Sequence, residues 1–227
     1  MKKMLYCAIA LMIALAIGAV AEGYTFQTIP WGASAQEVKD ILLERGLIRE
    51  EDFDAQAEQL DWLITRGDTK GADVAYIPEP GNDADLWQAL VGNTYAQGVG
   101  DRAFLHDLSR TIGGYEVREV CFNFLYGVED GKIIPETHLT LVAISFQDTD
   151  GITTDDLTAK LVEQYGEYEE KEIEGDIFRL WYGEDDTLIS VFARSENDPS
   201  LVYACTGDYE WVRELRALSE VKEDAGL

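Results

Sequence analysis

The sequence predicts an α+β fold, and three observations carry that expectation. Two stretches, residues 34–46 and 153–166, open with a capping box and continue at helical spacing. Each is followed, nearer or farther along, by runs in which apolar and polar residues alternate, the mark of half-buried strands. The two halves therefore read as one helix-plus-strands unit written twice, a possible pair of pseudo-repeats. Capping boxes are common enough for chance to produce the same likeness.

The first 21 residues have the form of a signal peptide. Lys2 and Lys3 give the positive start, Leu5 to Ile17 the apolar run, and Ala19-Val20-Ala21 the small-residue cleavage site. An uncleaved anchor is the rival reading, because Met4 to Ala21 is an apolar run of 18 residues, near the spanning minimum. The alanine-rich run and its A-x-A ending favour cleavage after Ala21, and so an exported protein. Cys7 sits at the start of the apolar run, which is not where a lipid-bearing cysteine stands. Cleavage leaves 206 of the 227 residues, enough for one sizeable core or two small ones. The expected organisation is a single domain over 22–227, with an irregular insertion near 67–112.

Ile29-Pro30-Trp31-Gly32-Ala33-Ser34-Ala35-Gln36-Glu37-Val38 sets the entry to the first helix. Pro30 holds Ile29 extended, and Gly32 permits a turn that other residues resist. Ser34 and Glu37 have the spacing of a capping box. Ala35, Val38, Ile41 and Leu42 then share one helical face, with Glu37, Lys39, Asp40 and Glu44 elsewhere, and Gly46 stands where a left-handed residue closes the helix. Trp31 reads as an apolar anchor under the first turn, with ligand stacking the less economical alternative.

This Trp-Gly-x-Ser-x-x-Glu-Val entry resembles that of small exported bacterial proteins. Among them are the outer-membrane assembly lipoprotein BamE (the SmpA/OmlA family) and, by shape, the β-lactamase inhibitory protein. It is closer still to uncharacterised exported proteins that open with Trp-Gly-Ser/Thr. The likeness covers residues 29–46; Gly46-Leu47-Ile48 lacks the proline that BamE-like chains place after the helix. The resemblance implies helices packed on one antiparallel sheet, and binding rather than catalysis.

Phe53, Ala57, Leu60 and Ile64 predict a second amphipathic helix near 51–65. Glycine, proline and acid then dominate, with a short helix expected over Asp83–Val91. Phe104, Leu105, Leu108 and Ile112 fit either a helix or irregular chain. Arg66-Gly67-Asp68 spells an adhesion tripeptide, but three residues recur by chance. From Tyr115 the pattern turns to strand. Val120, Phe122, Phe124 and Tyr126 alternate with their neighbours, Gly127 to Pro135 is read as a turn, and Leu139 to Phe146 returns. The second capped helix follows, with Leu157, Leu161 and Val162 placed as Val38, Leu42 and Leu43 are in the first. Strands are expected over Ile177–Tyr182, Leu188–Arg194 and Leu201–Thr206, then an amphipathic helix over Asp208–Glu223.

Charge narrows the partners. Eighteen basic and 44 acidic residues give −26, and loss of Lys2 and Lys3 takes this to −28. Such a surface disfavours nucleic acid and anionic lipid, and it attracts cationic partners or loosely held divalent cations. Acidity that merely keeps an exported protein soluble is the plainer reading. Cys121 and Cys205 survive cleavage, and export permits a disulfide between them, which the sequence leaves open.

Catalytic patterns are scarce. His106 and His138 are the two histidines, and neither lies near a cysteine, so the spacing of a zinc site is missing. No nucleophile elbow, phosphate loop or dinucleotide glycine pattern occurs. Asp148-Thr149-Asp150-Gly151 begins like a calcium loop but does not complete the ligand set. Abundant carboxylates leave a glycosidase-like hydrolase as the enzyme class worth naming, with Trp87 and Trp181 as aromatics for its cleft, although strand and helix spacing explains both as core. That reading requires two acids of raised pKa in a deep cleft. The expectation carried forward is an exported, non-catalytic binding module for a protein or envelope partner. It needs no cofactor or metal and has no membrane contact once the leader is cleaved. A carboxylate hydrolase and an acidic divalent-cation buffer are the alternatives.

Overall fold

Nine strands, two α-helices and two short 3₁₀ turns are complete among the described residues. The computed structural model describes residues 23–56, 100–106, 111–112, 114–130, 132–147, 151–184, 186–193, 199–205, 210 and 213–214. The strands are β1 (Asp54–Gln56), β2 (Gly100–His106), β3 (Thr111–Ile112), β4 (Tyr115–Glu129) and β5 (Lys132–Phe146). They continue as β6 (Glu169–Ile173), β7 (Asp176–Tyr182), β8 (Thr187–Ala193) and β9 (Pro199–Cys205). All pairings are antiparallel, in the order β1-β2-β4-β5-β9-β8-β7-β6, with β3 added on β4. The helices are α1 (Ala35–Glu44) and α2 (Thr154–Tyr165).

This curled, mostly-β sheet overturns the expected α+β domain of two helix-plus-strands pseudo-repeats. Two features explain the difference. Alternation does not stop at Gly127: that residue pairs with Ile134, and the chain reverses only around Asp130, at φ 50°. The expected turn over 127–135 is thus mostly strand, and β4 and β5 reach 15 residues each against 10 and 12 for the helices. The strands after α2 also build no sheet of their own. Leu141 to Ser145 of β5 pair with Ala204 to Ser200 of β9, which welds both parts of the chain into one sheet.

Other expectations meet mixed outcomes. Residues 50–52 form a 3₁₀ turn and 54–56 form β1, where a helix over 51–65 was expected; the remainder of that helix lies outside the described residues. The ambiguous stretch from Phe104 begins inside β2 and ends in β3. β6 went unrecognised because Glu169-Glu170-Lys171-Glu172 shows no apolar alternation. Charged residues suit an outer strand, where they discourage further pairing. The signal peptide, the helix at Asp83–Val91, Trp87, and most of the insertion near 67–112 lie outside the described residues. Of the C-terminal helix, Glu210, Arg213 and Glu214 are described, and they are helical.

Both faces of the sheet are buried. One face gathers Val120, Phe122 and Phe124 of β4, Val142 and Ile144 of β5, and Trp181 of β7 with Val38 and Leu42 of α1 and Leu157 and Leu161 of α2. The other carries a separate cluster that includes Cys121, Leu141, Phe178, Leu188, Phe192 and Val202. Alternation sorts neighbours to opposite faces. An extra residue in β5, Thr140, shifts the register so that Asn123 faces Leu141 while Phe124 faces Leu139, which places Leu139 with the first cluster.

Candidate partner-binding groove

The entry stretch is fixed to the sheet by backbone. Gly32 N–H donates to the Leu139 carbonyl at 3.0 Å, and Leu139 N–H donates to the Ala33 carbonyl at 2.9 Å. Gly32 has φ 81°, a conformation that favours glycine, so the turn expected there is present. Ala35 N–H donates to Thr137 Oγ1 at 3.0 Å, and His138 Nδ1 lies 3.3 Å from the Gly32 carbonyl. His138 is half-buried in β5 beside Leu125 of β4 and serves the turn. Trp31 is half-buried against the core and donates from Nε1 to the Tyr24 carbonyl at 2.9 Å, the anchoring role expected of it.

Both capping boxes are formed. Ser34 Oγ accepts from Glu37 N–H at 3.2 Å, and Glu37 Oε2 accepts from Ser34 N–H at 2.8 Å. Thr153 Oγ1 accepts from Asp156 N–H at 3.1 Å, and Asp156 Oδ2 accepts from Thr153 N–H at 3.2 Å. At the far end of α1, Gly46 N–H reaches Leu43 and Leu47 N–H reaches Leu42, a Schellman closure with Gly46 at φ 60°.

The capping bonds set the acidity of these carboxyls. Bonding from the Ser34 backbone, then from its hydroxyl, lowers the Glu37 pKa below the ordinary carboxylate range, and the Thr153 hydroxyl does the same for Asp156. A carboxyl made more acidic by folding stabilises the fold above its ordinary range and loses that contribution as pH falls through its folded value. Ser34→Ala is therefore expected to cost about 1 kcal/mol at neutral pH. Its deficit against wild type should shrink as pH falls below the ordinary carboxylate range and Glu37 protonates in both proteins. Urea unfolding at several pH values measures this.

Between the Pro30–Trp31 entry and the outer side of α1 lies an open groove of about 470 Å³. Trp31, Pro30 and Ile41 give it apolar walls, and Glu37, Asp40 and Glu44 line it with carboxylates. The helix places those three acids at i, i+3 and i+7, along one stripe. Asp40 and Glu44 are exposed. The nearby cations are turned to other tasks: Lys39 pairs with Glu50, and Arg45 donates to the Gln27 carbonyl. The sequence placed Asp40 and Glu44 off the apolar face. It gave no sign that Pro30 and Trp31 would fold back beside them, because that depends on pairing with β5 about a hundred residues later.

The remaining candidates do not assemble into a second centre. Cys121 in β4 and Cys205 in β9 are both buried thiols. Strand β5 runs between them, and two strand spacings amount to about 9.6 Å, beyond the roughly 7 Å over which cysteines bridge. The disulfide that the sequence leaves open would have to span that separation. Trp181 belongs to the core and donates to the Gly166 carbonyl at 2.9 Å. The side chain of His106 and the Asp148–Asp150 segment lie outside the described residues. Among the described residues, no group of three or more histidine, cysteine or acidic side chains is arranged to hold a metal. No helix there is long and apolar enough to cross a membrane. Compared with known proteins, the chain matches no family model, no curated protein and no solved structure.

Proposed function

We propose that the chain is an exported, non-catalytic binding module whose groove beside α1 receives a cationic segment of a protein or envelope partner. The observation that carries this reading is the groove's chemistry: an aromatic and aliphatic wall facing a stripe of three carboxylates. A lysine or arginine side chain matches it, since its apolar stem can lie on Trp31 and Ile41 while its charged end meets Asp40 and Glu44. The net charge of −26 adds long-range attraction for such a partner. The signal-peptide pattern and the resemblance of the entry helix to exported binding proteins support the same reading. Glycosidase-like chemistry needs a carboxyl of raised pKa. Glu37 and Asp156 are both shifted the other way by their capping bonds.

Calorimetric titration of residues 22–227 with a lysine-bearing amphipathic peptide tests the proposal. Binding should persist at physiological salt and weaken about 10- to 100-fold in the double variant Asp40→Lys, Glu44→Lys. These substitutions leave the Ser34–Glu37 cap intact. Binding unaffected by the double variant would remove the groove from the reading.

A further inference from the structure

Strand β6 stands last in the strand order and, among the described residues, pairs with β7 alone. The two strands are joined by a two-residue turn, Glu174 at φ 53° and Gly175 at φ 90°. Positive φ at both turn positions marks the tight hairpin whose flanking residues, here Ile173 and Asp176, form a hydrogen-bonded pair. Bonded and non-bonded pairs alternate from there along an antiparallel ladder. Ile173, Lys171 and Glu169 thus direct their backbone groups to β7, while Glu172 and Glu170 direct theirs outward. The outer edge presents the N–H and carbonyl groups of those two residues at strand spacing.

The side chains along this edge meet solvent. Glu169, Glu170, Glu172 and Glu174 are exposed with the whole chain present. Glu170 and Glu172 share one face, where they pair in register with Arg179 and Ile177 of β7. Arg179 is committed to Asp155 at 2.7 Å and to Thr158 at 2.8 Å, and reaches Glu170 only at 3.7 Å. Ile177, at 56%, is one of two large apolar side chains exposed among the described residues. Two carboxylates with an isoleucine behind them match a strand that carries lysine or arginine at alternate positions. Its cations meet Glu170 and Glu172, and its alkyl stems lie towards Ile177. A second copy of β6 fits badly: the antiparallel register that pairs both outward residues sets Glu170 against Glu172, and like charges directly opposite are destabilising. The charges that discourage self-pairing are the ones that favour a basic strand.

We propose that β6 is a docking edge which accepts an extended basic segment of a protein partner as an added antiparallel strand, with lysine or arginine facing Glu170 and Glu172. Backbone pairing gives the affinity, and the alternate cations give the selectivity. This edge belongs to a different element from the α1 groove and does not rest on what that groove binds.

The probe is a capped nonapeptide that alternates lysine with threonine. Its comparator is the same peptide N-methylated at the lysines, which keeps the charge and removes the donors that would face β6. Each is titrated into the full chain at physiological salt, and binding at the edge is read by NMR from slowed hydrogen exchange at the Glu170 and Glu172 amides. The parent peptide should slow both amides and do so at about tenfold lower concentration than the N-methylated one. Glu172→Lys should raise the concentration of parent peptide needed to protect Glu170 by about tenfold. Asp40→Lys, Glu44→Lys, which alters the groove, should leave protection of Glu170 and Glu172 unchanged, so the two sites fail or stand separately. Unslowed exchange at both amides, or equal potency of the two peptides, would overturn the proposal and leave the glutamates as guards of a closed edge.

Discussion

Trp181→Ala is expected to remove about 3–5 kcal/mol of stability, enough to leave a typical domain of this size marginal or unfolded. Trp181 is 2% exposed and belongs to the core cluster that contains Val38, Phe122 and Leu157. Truncation there leaves a large cavity at the point where β7 meets α2 and the loop after it. The ring also packs against Tyr168 with centroids 5.3 Å apart. Its Nε1–H satisfies the Gly166 carbonyl at the close of α2, where Gly166 takes φ 84°. The variant therefore loses packing and a helix-terminal hydrogen bond together. Trp181→Phe separates the two, since it keeps most of the apolar contact and drops only the bond; a loss of about 1–2 kcal/mol is expected. Urea unfolding followed by far-UV circular dichroism measures both. A loss below 1 kcal/mol for Trp181→Ala would show that β7 does not pack as described.

The second large effect falls on Arg179, which ties β7 to α2. Its guanidinium meets Asp155 Oδ1 at 2.7 Å and Thr158 Oγ1 at 2.8 Å, and lies 5.6 Å from the centre of the Tyr168 ring. The Arg179 side chain is 18% exposed while that of Asp155 is 83% exposed. That contrast decides where the energy lies. The ion pair is open to solvent on the Asp155 side and contributes less than about 1 kcal/mol, so Asp155→Ala is a mild change. Arg179→Ala removes the buried stem, the ring contact and the partner of Thr158 at once, for an expected loss of about 2–3 kcal/mol. Arg179→Met, which keeps the stem, should recover roughly half of that. Equal losses for Asp155→Ala and Arg179→Ala would instead place the energy in the ion pair.

Local chemistry was legible in the sequence where it depends on neighbours within a few residues. The caps at Ser34 and Thr153, the closing glycines 46 and 166, and strands near 177–182, 188–193 and 201–205 all follow from such short-range patterns. The architecture was not legible, because it is fixed by pairings that join distant residues. Nothing in Leu201-Val202-Tyr203 announces that it will lie against Ile144-Ala143-Val142 and close one sheet instead of opening a second. Two capped helices suggested a repeated α+β unit, yet helix signals are strong per residue while long strands give weak ones. Gly127 reads as a turn residue and lies inside a 15-residue strand. The groove has the same character. The helical spacing puts Asp40 and Glu44 off the apolar face, but their meeting with Trp31 depends on Gly32 and Ala33 pairing with Leu139.

The most direct measurement sets the groove against the overall charge. The lysine-bearing peptide is titrated at physiological salt into wild type, into Asp40→Lys, Glu44→Lys, and into Glu163→Lys, Glu167→Lys. The last pair reverses two exposed acids at the end of α2 and changes the net charge equally. A binding module that uses the groove loses about 10- to 100-fold in affinity in the first variant and less than about threefold in the second. Equal losses in both would contradict it, and would reduce the attraction to the general acidity of the chain.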